Sequence, residues 1–409
     1  MRSDTLVIGG GIQGSTLALA LADKGVRSAI VEAGPAPLSR ASLRNEGKIH
    51  LGFVYALDHS GETVDQMVTG ALSFAPLLER WCGPIDWAAM RSEPFSYLVM
   101  PDSLAPADEL AEHNALVGER IEALSADLGA DYCGCDPRVA ARRGVGLLPG
   151  LDPSVSTDWF ATPEVSLDPR SLGAALTTAL ASNPLIDLIT DHQVVGVTRT
   201  EAGFTLACDT PSGSRRLFAE QVVDCAWQGR AVLDAQAGLE PERLTYRLKH
   251  QVIVSPKGRG AGAAADLTPA TLVQGAFGDL VPWPGVSEEI YLSWYPAGRT
   301  FIGTEPEASE VPDPAVAEET LTEMQRLFPA LRDYRVVDHA PAWILAPDVS
   351  QRSLDISEGE SPLHDRSQMD LVSEAGWWSP RSYKLTTAPL ASERCAEQVA
   401  LGAPKASAA

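Results

Sequence analysis

The fold is decided by residues 5–32, Thr5-Leu6-Val7-Ile8-Gly9-Gly10-Gly11-Ile12-Gln13-Gly14-Ser15-Thr16-Leu17-Ala18-Leu19-Ala20-Leu21-Ala22-Asp23-Lys24-Gly25-Val26-Arg27-Ser28-Ala29-Ile30-Val31-Glu32. The β-branched run Thr5 to Ile8 reads as a short strand. The stretch from about Ser15 to Lys24 reads as a helix stopped by Gly25, and Arg27 to Glu32 as a second strand. Strand, helix and strand in this order begin a parallel sheet. Gly9, Gly11 and Gly14 have the G-x-G-x-x-G spacing between the first strand and the helix. The first permits a tight turn, the second lets the backbone approach a pyrophosphate, and the third lets the helix pack on the strand. The free N–H groups at the helix start favour phosphate charge. Glu32 closes the second strand 18 residues after Gly14, where it can accept hydrogen bonds from an adenosine ribose. A bare structural turn also explains such a glycine triplet taken alone. With strand, helix, second strand and terminal acid in agreement, a dinucleotide is expected, FAD and NAD both remaining open.

Outward from this unit, helical patterns run over Val64–Cys82, Ala107–Leu128, Pro169–Ala181 and Ala315–Phe328. Short strands alternate with turns such as Thr210–Gly213 between Leu185 and Cys225, as in a β-meander. Strand-like runs recur at Arg247–Ser255 and Ile290–Trp294, and a helix is expected over Thr386–Ala400 before a frayed small-residue tail. At 409 residues the chain exceeds what one core usually serves, so two domains are expected.

The formal charge of −22 argues against nucleic acid or an anionic membrane as partner, since both are bound by clustered Lys and Arg. The apolar segment Leu6–Ala22 is broken by glycines and Gln13 and preceded by Asp4, which does not suit a signal peptide; a cytoplasmic protein is expected. Six cysteines in so long a chain are expected to be free thiols. Cys133 and Cys135 lack zinc-pair spacing, and the seven histidines never fall into a metal spacing, so no metal is expected.

The segment Ser39-Arg40-Ala41-Ser42-Leu43-Arg44-Asn45-Glu46-Gly47-Lys48-Ile49-His50-Leu51-Gly52-Phe53-Val54-Tyr55 resembles the second flavin-contacting stretch of the D-amino-acid-oxidase-like flavoprotein superfamily. Its Ile49-His50-Leu51-Gly52 core with Tyr55 is closest to the 2-hydroxyglutarate dehydrogenase and glycerol-3-phosphate dehydrogenase branches. Gln221–Trp227 is similar to the superfamily's strand beneath the cofactor. Gly376–Pro389, with Lys384-Leu385-Thr386-Thr387, resembles a C-terminal Gly-Lys-Leu-Thr-Thr signature, although Tyr383 stands where relatives carry glycine.

The resemblance implies an α/β (α+β overall) chain with a Rossmann-type FAD-binding domain bearing a β-meander and a mixed antiparallel-sheet substrate domain. Residues 1–80, 155–240 and 340–400 are then the discontinuous FAD-binding domain, 81–154 and 241–339 the substrate domain, and 401–409 a flexible tail. Gly9, Gly11, Gly14, Glu32, Arg40, Ser42, Asn45, Gly47, Lys384, Leu385, Thr386 and Thr387 would hold FAD, and His50 would lie beside the flavin ring. The implied reaction is hydride loss from a C–H next to a heteroatom, the electrons passing on to oxygen or another acceptor.

Amino-acid-oxidising relatives carry a Gly-x-Arg-Pro turn whose arginine grips the substrate carboxylate; the counterpart here, Ala342-Trp343-Ile344-Leu345-Ala346-Pro347, has no arginine. Leu363-His364-Asp365-Arg366 resembles the stretch around a second arginine in the hydroxy-compound branch, which makes Arg366 and Lys384 the candidate anion binders and His50 the candidate proton acceptor. A hydroxylated, small polar or anionic substrate is therefore expected, with amine or amino/imino-acid oxidation as the alternative. A NAD-linked enzyme and a non-catalytic flavin-binding protein also stay open. So do plain readings of His50 as a core histidine and Arg366 as half of a surface ion pair.

Overall fold

The computed structural model describes residues 2–155, 157–257, 267–275, 278–284, 288–347, 358 and 361–402. Among these, two large sheets carry the chain. In the first, the strands Asp370–Glu374, Trp377–Arg381, Gly213–Asp224, Arg2–Ile8, Ser28–Val31 and Ile186–Ile189 lie side by side in that order. Arg2–Ile8 runs parallel to both neighbours. Gln193–Thr200 and Gly203–Thr210 hang from Gly213–Asp224 as an antiparallel meander. Gly213–Asp224 serves both arrangements. Its first four residues are exposed in the meander, and its last four are buried between parallel strands.

The helix Ile12–Asp23 is apolar nearly all round, with every residue from Gly14 to Ala22 buried. A helix without a polar face must be covered on all sides, and it packs against Ala388–Gly402, Pro169–Ser182 and Glu62–Cys82. Gly14 makes the close packing possible: a Cβ there would lie 1.9 Å from the Gly9 carbonyl oxygen.

The second sheet has as its spine the strand Leu244–Pro256. It pairs along one edge with Tyr334–Pro347 and along the other with Arg299–Gly303 and then Ile290–Trp294. Gly278–Pro282, Ala270–Val273, Ser96–Val99, Asp158–Ala161 and Arg142–Arg143 continue it. The helix Pro314–Leu327 covers one face through Ala317, Leu321, Met324 and Leu327. The mixed, largely antiparallel character of this sheet is the expected one.

The boundaries expected at 155 and 340 are corrected by strand pairing. Asp158–Ala161 and the whole of Tyr334–Pro347 belong to the second sheet, so the chain re-enters the first sheet's side after each of them. Hydrophobic pattern marks a strand but does not say which sheet it joins, because the partner lies far away in sequence. The helix expected from Thr386 starts at Ala388, after a 3-10 turn over Leu385–Thr387. Of the expected tail, 401–409, Leu401 and Gly402 belong to the helix Ala388–Gly402, and residues 403–409 lie outside the described residues. All six cysteines are free thiols. No described helix is long and apolar enough to cross a membrane.

Gly14→Ala is expected to destabilise the chain by about 1–3 kcal/mol, because the new methyl meets backbone on an unyielding turn. Urea denaturation measures it; an unchanged midpoint would show that the turn and helix are loosely packed.

Candidate active site

A cleft of about 610 Å³ opens where the first parallel strands end and extends to the second sheet. Its walls include Gly9, Gly11 and Glu32, the segment from Leu38 to Glu46, and then Lys48, His50, Lys249, Tyr383, Lys384 and Leu385. The sequence motifs at 9–14, 39–50, 225–227 and 382–388 thus meet around one space.

The glycine turn suits a pyrophosphate. Gly9 has φ +90°, and a Cβ on it would stand 2.6 Å from the Cys225 carbonyl oxygen. A Cβ on Gly11 would meet only Ser42 Oγ, at 3.3 Å. Ser42 Oγ accepts from the Ile12 amide at 2.9 Å, tying the second motif to the start of the helix. Asn45 closes its own loop, with Nδ2 donating to the Ala41 and Ser42 carbonyls and Oδ1 accepting from the Gly47 amide at 2.8 Å. Arg40 and Arg44 line the cleft but reach to Glu310 at 3.0 Å and Asp338 at 2.8 Å.

Four expected cofactor contacts are placed differently. Glu32 accepts from the Gly10 amide through Oε2 and from the Gly34 amide through Oε1, each at 2.7 Å, so it first braces the turn. Each carboxylate oxygen keeps a second acceptor position for a ribose. Gly47 does not line the cleft. It has φ +72°, and a Cβ there would lie 1.8 Å from the Leu167 carbonyl oxygen, so its role is a close backbone approach. Thr386 and Thr387 are buried behind the wall. Thr386 Oγ1 accepts from the His50 amide at 2.8 Å, and Thr387 Oγ1 pairs with Ser382 Oγ at 2.8 Å. They hold the loop that carries Lys384 and position the His50 backbone.

The inner end is dense in buried charge. Lys48 Nζ bonds to Asp279 Oδ1 at 2.8 Å and to Thr271 Oγ1. Lys249 Nζ lies 3.5 Å from Glu46 Oε2 and 3.8 Å from Asp279 Oδ2. Burial works to raise the Glu46 carboxyl, but Lys249, Lys48 and Lys384 outweigh it and hold Glu46 far below the usual carboxylate range. His50 is buried, and burial with the charge of Lys384 lowers its pKa against the opposing pull of Glu164. Its Nδ1 lies 3.5 Å from Glu164 Oε1 and has no hydrogen-bond partner. Glu164 is anchored by the Leu51 amide at 2.6 Å and by the Tyr97 hydroxyl. Tyr55 stands edge-on to His50, with ring centroids 5.5 Å apart.

Arg366 is 5% exposed, which removes the surface ion pair as its explanation. Its amide donates to Thr63 Oγ1 at 2.9 Å and its Nη1 to the Asp365 carbonyl. Lys384 stands 5.6 Å above the Tyr55 ring and is pulled down to about 7 by burial and then by Arg366, with Glu46 opposing. The sequence reading missed Glu46, Glu164 and Arg247. A signal for Arg247 was present: Thr245, Arg247, Lys249 and Gln251 alternate along one strand with Tyr246, Leu248 and His250, which puts four polar side chains on one face. Among the described residues no cluster of His, Cys, Asp and Glu could hold a metal ion.

The sequence matches the family described as DAO, FAD dependent oxidoreductase, over residues 4–398. The chain belongs to this family. None of the curated proteins matches significantly. Among solved structures, glycine oxidase from Geobacillus kaustophilus is similar at 18% identity, with a TM-score of 0.68, covering 99% of this chain and 96% of the other. L-proline dehydrogenase from P. horikoshii is similar at 15% identity, TM-score 0.63, covering 99% and 95%. The FAD-bound, dithionite-reduced L-alpha-glycerophosphate oxidase from Mycoplasma pneumoniae is similar at 14% identity, TM-score 0.64, covering 98% and 95%. These likenesses share the fold. Family membership makes the chain an FAD-dependent oxidoreductase and removes the NAD-linked alternative, and the glycine turn and open Gly11 face of the cleft fit that cofactor.

The lowered Lys384 value has a sign that can be tested. With its pKa near 7 in the folded chain and 10.5 ordinarily, Lys384 is neutral when folded and charged when unfolded between those limits. Unfolding then takes up a proton, so the lysine's contribution to stability is least below pH 7 and rises with pH up to about 10.5. The stability difference between the parent and Lys384→Met, from urea denaturation at several pH values, should shift in the parent's favour across that window. A pH-independent difference would mean an ordinary lysine.

Proposed function

We propose that this enzyme oxidises a C–H next to a hydroxyl in a small anionic substrate. The observation that carries the reading is His50: a buried imidazole on the cleft wall whose Nδ1 lies 3.5 Å from the anchored carboxylate of Glu164 and whose pKa is lowered by burial and by Lys384. A hydroxyl must give up its proton as the carbon loses hydride, and a neutral histidine is suited to take it. An amine reacts from its neutral form and places less demand on such a base.

Bound FAD supplies the hydride acceptor. In this reading Gly9, Gly11, Glu32, Ser42 and Asn45 shape its diphosphate and ribose region, while Gly14, Gly47, Thr386 and Thr387 hold those walls in place. Lys384 and Leu385 border its ring end. Arg366, together with Lys384 in its protonated form below about pH 7, draws an anionic substrate inward, reversing locally the field of a strongly acidic protein. The dry, aromatic surroundings of Tyr55 and Tyr97 keep water from competing for the His50 proton position.

The deciding experiment is an anaerobic bleaching screen of the yellow holoprotein with hydroxy acids, polyols, sugar derivatives, amines and amino acids. Bleaching by hydroxylated anions is expected; bleaching by amines alone would replace this reading with amine or amino/imino-acid oxidation. His50→Ala should slow flavin reduction by roughly 10²-fold or more at full FAD content, and unchanged kinetics would leave His50 a packing residue. Gly11→Val should abolish FAD retention, because the side chain enters the only open face of the turn. A variant that purifies with full flavin content would overturn the placement of the diphosphate.

A further inference from the structure

One buried carboxylate takes no part in the ion pairs that join the two sheets. Glu164 is fully buried and does not line the cleft, yet backbone pairing fixes its place beside His50. The strands Lys48–Ile49 and Val165–Ser166 are antiparallel, with Lys48 opposite Ser166 and Ile49 opposite Val165. One step further in the same register, Glu164 falls opposite His50, and directly opposed residues present their side chains on the same face. The Tyr132 hydroxyl bolts this short ladder, donating to the Ile49 carbonyl and accepting from the Val165 amide at 3.1 Å. The His50 backbone is held from the other side, where its amide donates to Thr386 Oγ1 at 2.8 Å.

The two oxygens of Glu164 meet different donors. Oε2 accepts from the Leu51 amide at 2.6 Å, a donor on fixed backbone. Oε1 accepts from the Tyr97 hydroxyl, which can rotate, and faces His50 Nδ1 at 3.5 Å. Nδ1 is buried and has no hydrogen-bond partner among the described residues, so Oε1 is the acceptor it faces. Burial acts to raise the Glu164 carboxyl, but His50, Lys48 and Tyr97 outweigh it and hold it below its ordinary value. An ionised carboxylate only accepts hydrogen bonds. A neutral imidazole carries its single proton on one nitrogen, and the hydrogen bond open to the other decides which. A proton on Nδ1 leaves the Nε2 lone pair free on a ring that lines the cleft.

We propose that Glu164 is a positioning residue that fixes His50 as the Nδ1–H tautomer, so that Nε2 is the atom receiving the substrate's hydroxyl proton. The source of that proton rests on the function proposed above; the tautomer does not. When the proton leaves the substrate oxygen for Nε2, the ring becomes a cation with both nitrogens protonated, and its contact with Glu164 becomes charge-assisted. A carboxylate behind a histidine base thus sets the direction of transfer and stabilises its product.

The Leu51 amide dictates what a substitution does. In Glu164→Gln an oxygen must stay opposite that fixed N–H, which places the side-chain NH2 where Oε1 stood. There it donates to His50 Nδ1 and drives the ring proton to Nε2, while Tyr97 rotates its hydroxyl to suit. The two tautomers are distinguished by nitrogen NMR of the FAD-loaded protein carrying isotopically labelled histidine, with His50 assigned from the signals lost in His50→Gln. The parent and Glu164→Asp should carry the proton on Nδ1, and Glu164→Gln on Nε2. With the best substrate from the bleaching screen, Glu164→Gln should slow flavin reduction by roughly 10²-fold or more at full FAD content. The substrate concentration for half-maximal reduction should not change, and Glu164→Asp should recover part of the rate. A parent protein with the proton on Nε2 would overturn the proposal even if Glu164→Gln failed to fold. So would a proton that stays on Nδ1 in Glu164→Gln, or parental reduction rates in Glu164→Gln when His50→Ala is slow. Parental rates in His50→Ala would instead overturn the base reading and with it the role of Nε2, while the spectra still decide whether Glu164 sets the tautomer.

Discussion

Two buried ion pairs, Lys48 with Asp279 and Lys249 with Glu46, join the segment that carries His50 to the second sheet, and the arrangement of the site depends on them. Glu46 and Lys48 flank Gly47 on the cofactor side of the cleft, whereas Asp279 and Lys249 stand on strands of the opposite sheet. Because both partners of each pair are desolvated, either charge left alone would be far more unfavourable than the pair, and the two sides of the cleft are held in register by that penalty. The distance across the cleft, and hence the space left for a substrate, follows from four side chains that must meet.

The same closed network explains the character of the remainder. Lys48 and Lys249 have partners, whereas Arg247, Arg366 and Lys384 are buried side chains whose pKa values burial lowers. Burial and the charge of Lys384 lower the His50 pKa, while Glu164, fixed from two sides, sets the carboxylate facing its ring.

On the cofactor side, the controlling constraint is backbone contact. Gly9 and Gly14 each sit where a Cβ would strike a carbonyl oxygen, and Glu32 uses both carboxylate oxygens on amides of the turn it faces. Ser42 and Asn45 spend their side chains on the same local backbone. Residues expected as cofactor ligands thus act largely by shaping the cradle, and the part left open, beside Gly11, is what a diphosphate can occupy.

The β-α-β unit at residues 5–32, the meander and most helices were legible in the sequence because each rests on local periodicity and on glycines whose backbone need is local. Ala107–Leu128 and Ile290–Trp294 begin and end at the expected residues, the helix being bounded locally by Pro106 and Gly129. The motifs at 39–55 and 376–389 likewise located one wall of the site. Tertiary structure alone decided that Asp158–Ala161 and Tyr334–Pro347 join the second sheet, that Gly47 faces Leu167 rather than the cleft, and that Glu164 stands behind His50. It also decided that Arg366 and Arg247 are both buried. Those outcomes depend on which distant strands pair and which charges meet after pairing; a local pattern can mark a polar face but carries no record of what that face will find opposite it.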